Sequence, residues 1–320
     1  MAHRATPRIP PKRAPRVLYL GMLGEFSLLP LVALLEAGIA VCAVLIPEEA
    51  GATTPGIRRI APVAVPGSTL PLLTSHVAPS VVSLAWQRQI PVWAVARERS
   101  ADVLAALASF DADALGVACW PRRLPSPLLA LPRHGGLNLH PSLLPAHRGP
   151  APLFWTLRAG DPAGVTVHRL DATLDGGDVL AQQVVETSDG MPGDELERRC
   201  AVAGGRLLAA NVRALVEGAA RLVAQNEHQS TYEPWPRPED FMVTPDRPAR
   251  WAFNFLRGTA NWGEPHVLAL GEERFVVQHA LDYDAAGSLG VPLRQDGAHL
   301  WVQCAPGVLH VLAERPGRGN

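Results

Sequence analysis

Residues 135–150, GGLNLHPSLLPAHRGP, and residues 174–178, LDGGD, carry the side chains best suited to chemistry in this chain. They supply an amide (Asn138), an imidazole (His140) and a carboxylate (Asp175). Such a set can bind a carbonyl group, polarise it and move protons around its carbon. Hydrogen-bond donors aimed at a developing oxyanion contribute strongly to acyl transfer. A carboxylate beside an imidazole orients the ring and favours its charged form.

The surrounding residues explain how these groups could meet. GLNLH alternates like a short buried strand, so Asn138 and His140, two apart, share one face. Pro141 ends that strand, and 142–150 reads as loop. Asp175 follows an apolar strand, GVTVHRL (164–170), in a turn where Gly176 and Gly177 permit close approach of another backbone. Polar groups beyond the carboxyl ends of strands in an open α/β sheet lie where ligands usually bind. Taken singly, each residue has a plainer reading. Asn138 is a hydrogen bonder at a strand end, His140 a satisfied buried histidine, and Asp175 the start of an Asx turn. Metal binding is the weaker alternative: His134, His140, His147 and His168 lack paired ligand spacing and no cysteine lies among them, so no metal is expected.

The positioning elements read as an α/β fold. RVLYLG (16–21) is a first buried strand, 25–37 a helix stopped by Gly38, and IAVCAVLI a second strand. Residues 47–80 are rich in Pro, Gly and Thr and read as an irregular excursion. Strands follow at 90–95 and 113–119, with a helix at 101–110 between them. A long Ala- and Arg-rich helix at 192–218 closes the unit. Strands alternating with helices imply a mostly parallel sheet with both faces covered. The chain divides into a basic arm (1–15), a catalytic domain (16–220), a linker (221–232) and a C-terminal domain (233–320).

Composition excludes several classes. The 320 residues are 48% hydrophobic and 18% charged, which is globular. A net charge of −1 gives no global field for nucleic acid. The apolar run 27–46 is broken by Glu36, Ala37 and Gly38, so no membrane span is expected. The arm carries Arg4, Arg8, Lys12 and Arg13 without an apolar core, so it is read as disordered and not as a secretory signal. Cys42, Cys119, Cys200 and Cys304 are scattered, and a reducing cytoplasm is the expected compartment. The first turn, GMLGEF, has neither GxGxxG nor a P-loop lysine, which disfavours NAD and ATP.

The ordered string N-x-H-P-S-L-L-P, R-G, G-V-T and L-D-x-G-D resembles the formyltransferase family that uses 10-formyltetrahydrofolate. The resemblance covers 16 to about 190 well, and 230–320 more loosely. It implies a Rossmann-like, mostly parallel domain followed by a smaller β-rich, OB-like C-terminal domain. It matches Asn138, His140 and Asp175 to the family's catalytic Asn, His and Asp, with 10-formyltetrahydrofolate as co-substrate. The segment CWPRRLPSPLL (119–129) matches the part that lines the folate pocket. Cys119, Trp120, Leu124, Pro125, Ser142 and Gly176 are the expected folate contacts. Leu124 and Pro125 keep the family's Leu-Pro, whereas 120–123 depart from its aromatic-Gly pattern. Arg122 or Arg123 either meets the folate's glutamate tail or is solvated.

The implied reaction is direct formyl transfer. A primary amine attacks the formyl carbon, Asn138 donates to the oxyanion, and His140 donates as imidazolium. Asp175 sustains that charge and helps relay a proton, through water, from the amine to the folate nitrogen.

The acceptor stays open between two amines. Two-domain members formylate methionine on initiator tRNA, and EDFMVTPDRPARWAFNFLRG (239–258) is similar to theirs. Yet tRNA binding needs a basic surface. Residues 231–320 hold eight arginines and 11 acidic residues, a net of about −3. The excursion PEEAGATTPGIRRIAP also lacks a basic insertion. A small amine, such as an amino sugar nucleotide or an amino acid, is therefore the alternative. Trp155 could stack on a base or sugar ring, or sit in a core. Hydrolysis of the folate and a non-catalytic folate-binding relic are more distant alternatives. The oligomeric state leaves no signal.

Overall fold

The structure, a computed structural model, describes residues 13–51, 54–62 and 79–316. Most of the basic arm lies outside the described residues. Its end is tied down, because Arg13 pairs with Asp113 at 3.1 Å.

The first unit comprises β1 (Arg16–Gly21), α1 (Glu25–Glu36), β2 (Ala40–Pro47), β3 (Ile57–Ile60), α2 (Val81–Gln87), β4 (Val92–Val95), α3 (Ala101–Ala108), β5 (Ala114–Ala118), α4 (Ser126–Leu129), β6 (Gly136–His140), α5 (Pro152–Ala159), β7 (Gly164–Arg169), β8 (Val179–Val184) and α6 (Gly193–Val216). Its eight strands form one sheet in the order β3-β4-β2-β1-β5-β6-β7-β8. The central strands alternate faces as a doubly covered sheet requires. Val17 and Tyr19 of β1 pack toward α1 and α6, while Leu18 and Leu20 pack toward α3. The apolar run at 27–46 divides as expected, with α1 ending at Glu36 and β2 starting at Ala40.

Two departures from the expected parallel sheet bear on the site. The stretch 47–80, read as irregular, contributes β3, which pairs antiparallel with β4 at the sheet edge. Four residues with Arg58 and Arg59 exposed are too short for alternation to show. The second departure is larger. The strands from β4 to β6 are parallel, but β7 runs antiparallel to β6 and β8 antiparallel to β7. The helix between β6 and β7 is α5. Its Phe154 is fully buried, with ring centroids 4.9 Å from Phe241 and 5.6 Å from Phe255 of the following unit. The helix is shared, since Leu153 and Leu157 pack against the first unit's core while Phe154 enters the second.

The second unit comprises β9 (Met242–Val243), α7 (Ala249–Gly258), β10 (His266–Leu270), β11 (Glu273–Asp284), β12 (Leu293–Asp296), β13 (His299–Gln303) and β14 (Val308–Glu314). Its six strands take the order β12-β13-β14-β11-β10-β9 and are antiparallel except for β9–β10. The two units share the aromatic cluster around Phe154. They also share Asp189, whose carboxylate accepts from Arg250 (2.8 Å), Asn254 (2.9 Å) and Tyr283 (2.5 Å). Among the described residues, no helix is long and apolar enough to cross a membrane.

Candidate active site

Asn138 is the third residue of β6 and His140 the last, so the pleat turns both to one face. The antiparallel β6–β7 pairing places His168 directly opposite Asn138. The Asn138 Nδ2 donates to His168 Nε2 at 3.1 Å, and His168 Nδ1 donates to the Arg169 carbonyl at 3.1 Å. A ring that accepts at one nitrogen and donates at the other is the neutral Nδ1–H tautomer. Burial holds His168 in that form by pushing its pKa down, against the opposing pull of Asp175.

Asp175 completes the cluster from the turn after β7. Its Oδ1 lies 3.8 Å from His140 Nδ1 and 3.6 Å from His168 Nε2. Its Oδ2 accepts from the Gly149 backbone N–H at 3.0 Å. The residue is held at φ +54, a conformation unusual for a side-chain-bearing residue. Two positions later, a Cβ on Gly177 would collide with the Arg169 carbonyl oxygen, which is the close backbone approach the sequence implied. His140 donates from Nε2 to the His147 carbonyl at 2.8 Å, and its ring meets that of His168 edge-on at 6.3 Å. His140, His168 and Asp175 are buried, whereas Asn138 keeps partial exposure.

The loop after β6 is fixed from beneath. Ser142 donates to the Ala146 carbonyl at 2.7 Å, and Thr166 donates to the Ser142 carbonyl at 2.7 Å. Gln182 donates to the Leu144 carbonyl at 2.6 Å. Ser142, expected among the folate contacts, is thus fully buried with its hydroxyl closing this turn.

The segment after β5 lies beside His140, because β5 pairs with β6. Cys119 is exposed at φ +60. Trp120 donates from its indole to Glu98 at 3.1 Å. Arg122 is half buried and bound within the chain. It donates to Glu98 (2.6 Å) and to the Val95 carbonyl (2.7 Å), so it ties this segment to the end of β4. Arg123 is exposed. Leu124 sits in the core with Leu128, and Pro125 caps α4. Gly176 lies in the Asp175 turn, close to Arg148. The structure therefore gathers Asn138, His140 and Asp175, sets Cys119 and Trp120 at the neighbouring strand end, and sends Leu124 and Ser142 inward. Trp155, half buried, packs edge-on against Phe154 at the border of the second unit's cluster and donates to the Pro234 carbonyl at 2.9 Å. Among the described residues, no group of three or more His, Cys, Asp and Glu is arranged to hold a metal ion.

The sequence offered His168 only as a metal-ligand candidate, not as the partner of Asn138, and gave no notice of the Gly149 N–H or Gln225. The alternation in GVTVHR turns Thr166 and His168 to one side, which was the available signal for His168. Gln225 had none, since its contacts with Gly177, Asp175 and Arg148 lie 48, 50 and 77 residues away.

An amide, two imidazoles and a carboxylate gathered on one face of β6 and β7 are groups that acyl transfer can use, and comparison with known proteins gives the class. Residues 69–212 match the family described as formyl transferase. The chain is 35% identical over 233 residues to a methionyl-tRNA formyltransferase of Anaeromyxobacter dehalogenans, covering 72% of this chain and 75% of that one. It is 30% identical over 239 residues to a methionyl-tRNA formyltransferase of Streptococcus suis, covering 74% and 75%. Among solved structures, it superposes on an N-formyltransferase from Helicobacter canadensis, crystallised with folinic acid and dTDP-3-aminofucose. The TM-score is 0.57 at 11% identity, covering 92% of this chain and 98% of that one. The chain belongs to the formyltransferase family.

Proposed function

We propose that this protein transfers the formyl group of 10-formyltetrahydrofolate to a primary amine, and that the amine is that of methionyl-tRNA. The observation that carries the transfer is the gathering of Asn138, His140 and Asp175 around His168 on one face of β6 and β7. The groups fit a formyl donor. The Asn138 amide has a second N–H beyond the one given to His168, and partial exposure to present it. Asp175 Oδ1 accepts no hydrogen bond from the described residues, so it is available to a proton in transit. The folate, when bound, supplies the one-carbon unit. Asn138 would donate to the formyl oxygen as the amine adds, and Asp175, beside His140, would take the proton the amine loses and pass it to the folate nitrogen as the formyl C–N bond breaks. Cys119, Trp120 and Gly176 border the folate in this reading.

The acceptor reading follows the relatives named above, each of which aligns with nearly three quarters of this chain. We take 16–220 as the catalytic domain, 221–232 as linker and 233–320 as the second domain. The four thiols are unpaired, in keeping with a cytoplasmic enzyme. One observation favours a small amine instead. The second domain is net acidic, with eight arginines against 11 acidic residues in 231–320. The test is a screen of acceptors with purified protein, read by loss of the 10-formyl group. Formylation of methionyl-tRNA, with binding that falls steeply as salt rises, supports the first reading. Formylation of an amino sugar nucleotide or amino acid without tRNA binding supports the second.

A further inference from the structure

We propose that Gln225, in the segment joining the two units, is a positioning residue for Asp175. Its side-chain Nε2 donates to the carbonyls of Asp175 and Gly177, both at 2.7 Å. Its Oε1 accepts from Arg148 Nη2 at 2.8 Å and Nε at 3.2 Å. One amide therefore staples the Asp175 turn to the loop that carries Arg148.

That loop is itself anchored. Arg148 pairs with both oxygens of Glu227, at 2.8 and 2.9 Å. Its backbone N–H donates to the Thr231 carbonyl (3.1 Å), and its carbonyl accepts from the Glu233 N–H (3.0 Å). The next residue, Gly149, donates its N–H to Asp175 Oδ2. Any Cβ at Gly149 would collide with the Glu233 carbonyl oxygen, so the approach of the two segments depends on that glycine. Asp175 is thus held at two points. Gly149 fixes its side chain, Gln225 fixes its main chain, and Arg148 connects both to 225–233.

The staple matters because Asp175 sits at φ +54 without being glycine. Such a conformation persists only where surrounding contacts impose it. Removing the two donors of Gln225 lets the turn relax and carries Oδ1 away from His140. Misplacing a reacting group by about 1 Å can lower turnover on the order of 100-fold. Gln225 itself need touch no substrate.

This inference rests on the assignment of Asp175 to the reacting site. The test uses the full chain carrying Gln225→Met, which keeps the shape and loses the donors. Gln225→Glu, which keeps an acceptor for Arg148, is the second variant. The residue is half buried on a surface segment, so neither variant should unfold the chain. We expect kcat to fall about 10-fold or more with the folate KM within about twofold of wild type. We also expect the ring-nitrogen NMR shifts of His140 to change. In an Asp175→Asn background the same substitution should cost nothing further. Wild-type kcat, unchanged His140 shifts, or an undiminished extra loss in that background would each overturn the proposal. An inert wild-type enzyme would instead refute the formyl-transfer reading, and the NMR comparison would still decide whether Gln225 sets Asp175 against His140.

Discussion

The side-chain amide of Asn138 donates to Nε2 of His168 across an antiparallel strand pair, 3.1 Å apart. This contact orients the amide, because only its NH2 end can face the imidazole lone pair. It also gives His168 a role that depends on its staying neutral.

His168→Ala should therefore release the Asn138 amide and leave the Arg169 carbonyl without its donor. We expect kcat to fall on the order of 10-fold and unfolding free energy to drop by about 1–3 kcal/mol, from the lost buried hydrogen bond. Steady-state kinetics and urea unfolding check both. A variant with wild-type kcat would mean that the amide needs no such support.

Gly177→Ala tests the turn beneath Asp175. Its Cβ cannot coexist with the Arg169 carbonyl oxygen, so the turn must open. The variant should melt at lower temperature than wild type and lose most of its turnover. A thermal melt together with an activity assay measures this. An unchanged melt with full activity would show that the turn has slack the geometry does not suggest.

Stability should fall in mild acid. His266 is buried against Thr259, with its pKa pushed by burial down to about 4. A histidine with a lowered native pKa binds fewer protons folded than unfolded, so the stability it contributes is complete above about pH 6.5 and is lost as pH falls toward 4. For His266 the loss at pH 5 is on the order of 2 kcal/mol. His168 acts in the same direction, for the same reason. Denaturant unfolding at pH 7 and pH 5 measures the difference, and His266→Gln should shrink it. An equal loss in that variant would place the acid sensitivity elsewhere.

Much of this molecule was legible in its sequence. Strand β1 coincides with RVLYLG, and β6 with the GLNLH motif, because both are short apolar runs bounded by clear breaks. Asn138, His140 and Asp175 stand in an ordered string, and the structure brings them together. What escaped depends on pairing between distant segments. His168 reaches Asn138 only because the chain reverses at β7 and pairs antiparallel with β6. The fate of Arg122 depends on Glu98 and on the Val95 carbonyl, neither of which spacing reveals. Gln225 lies in a stretch read as a plain connector, yet it holds the turn that carries the carboxylate.

The central claim, that these side chains move a formyl group, is tested most directly by Asn138→Ala. Turnover of 10-formyltetrahydrofolate with the identified acceptor should fall at least on the order of 100- to 1000-fold while folate still binds. Wild-type turnover in a correctly folded Asn138→Ala enzyme would contradict the account.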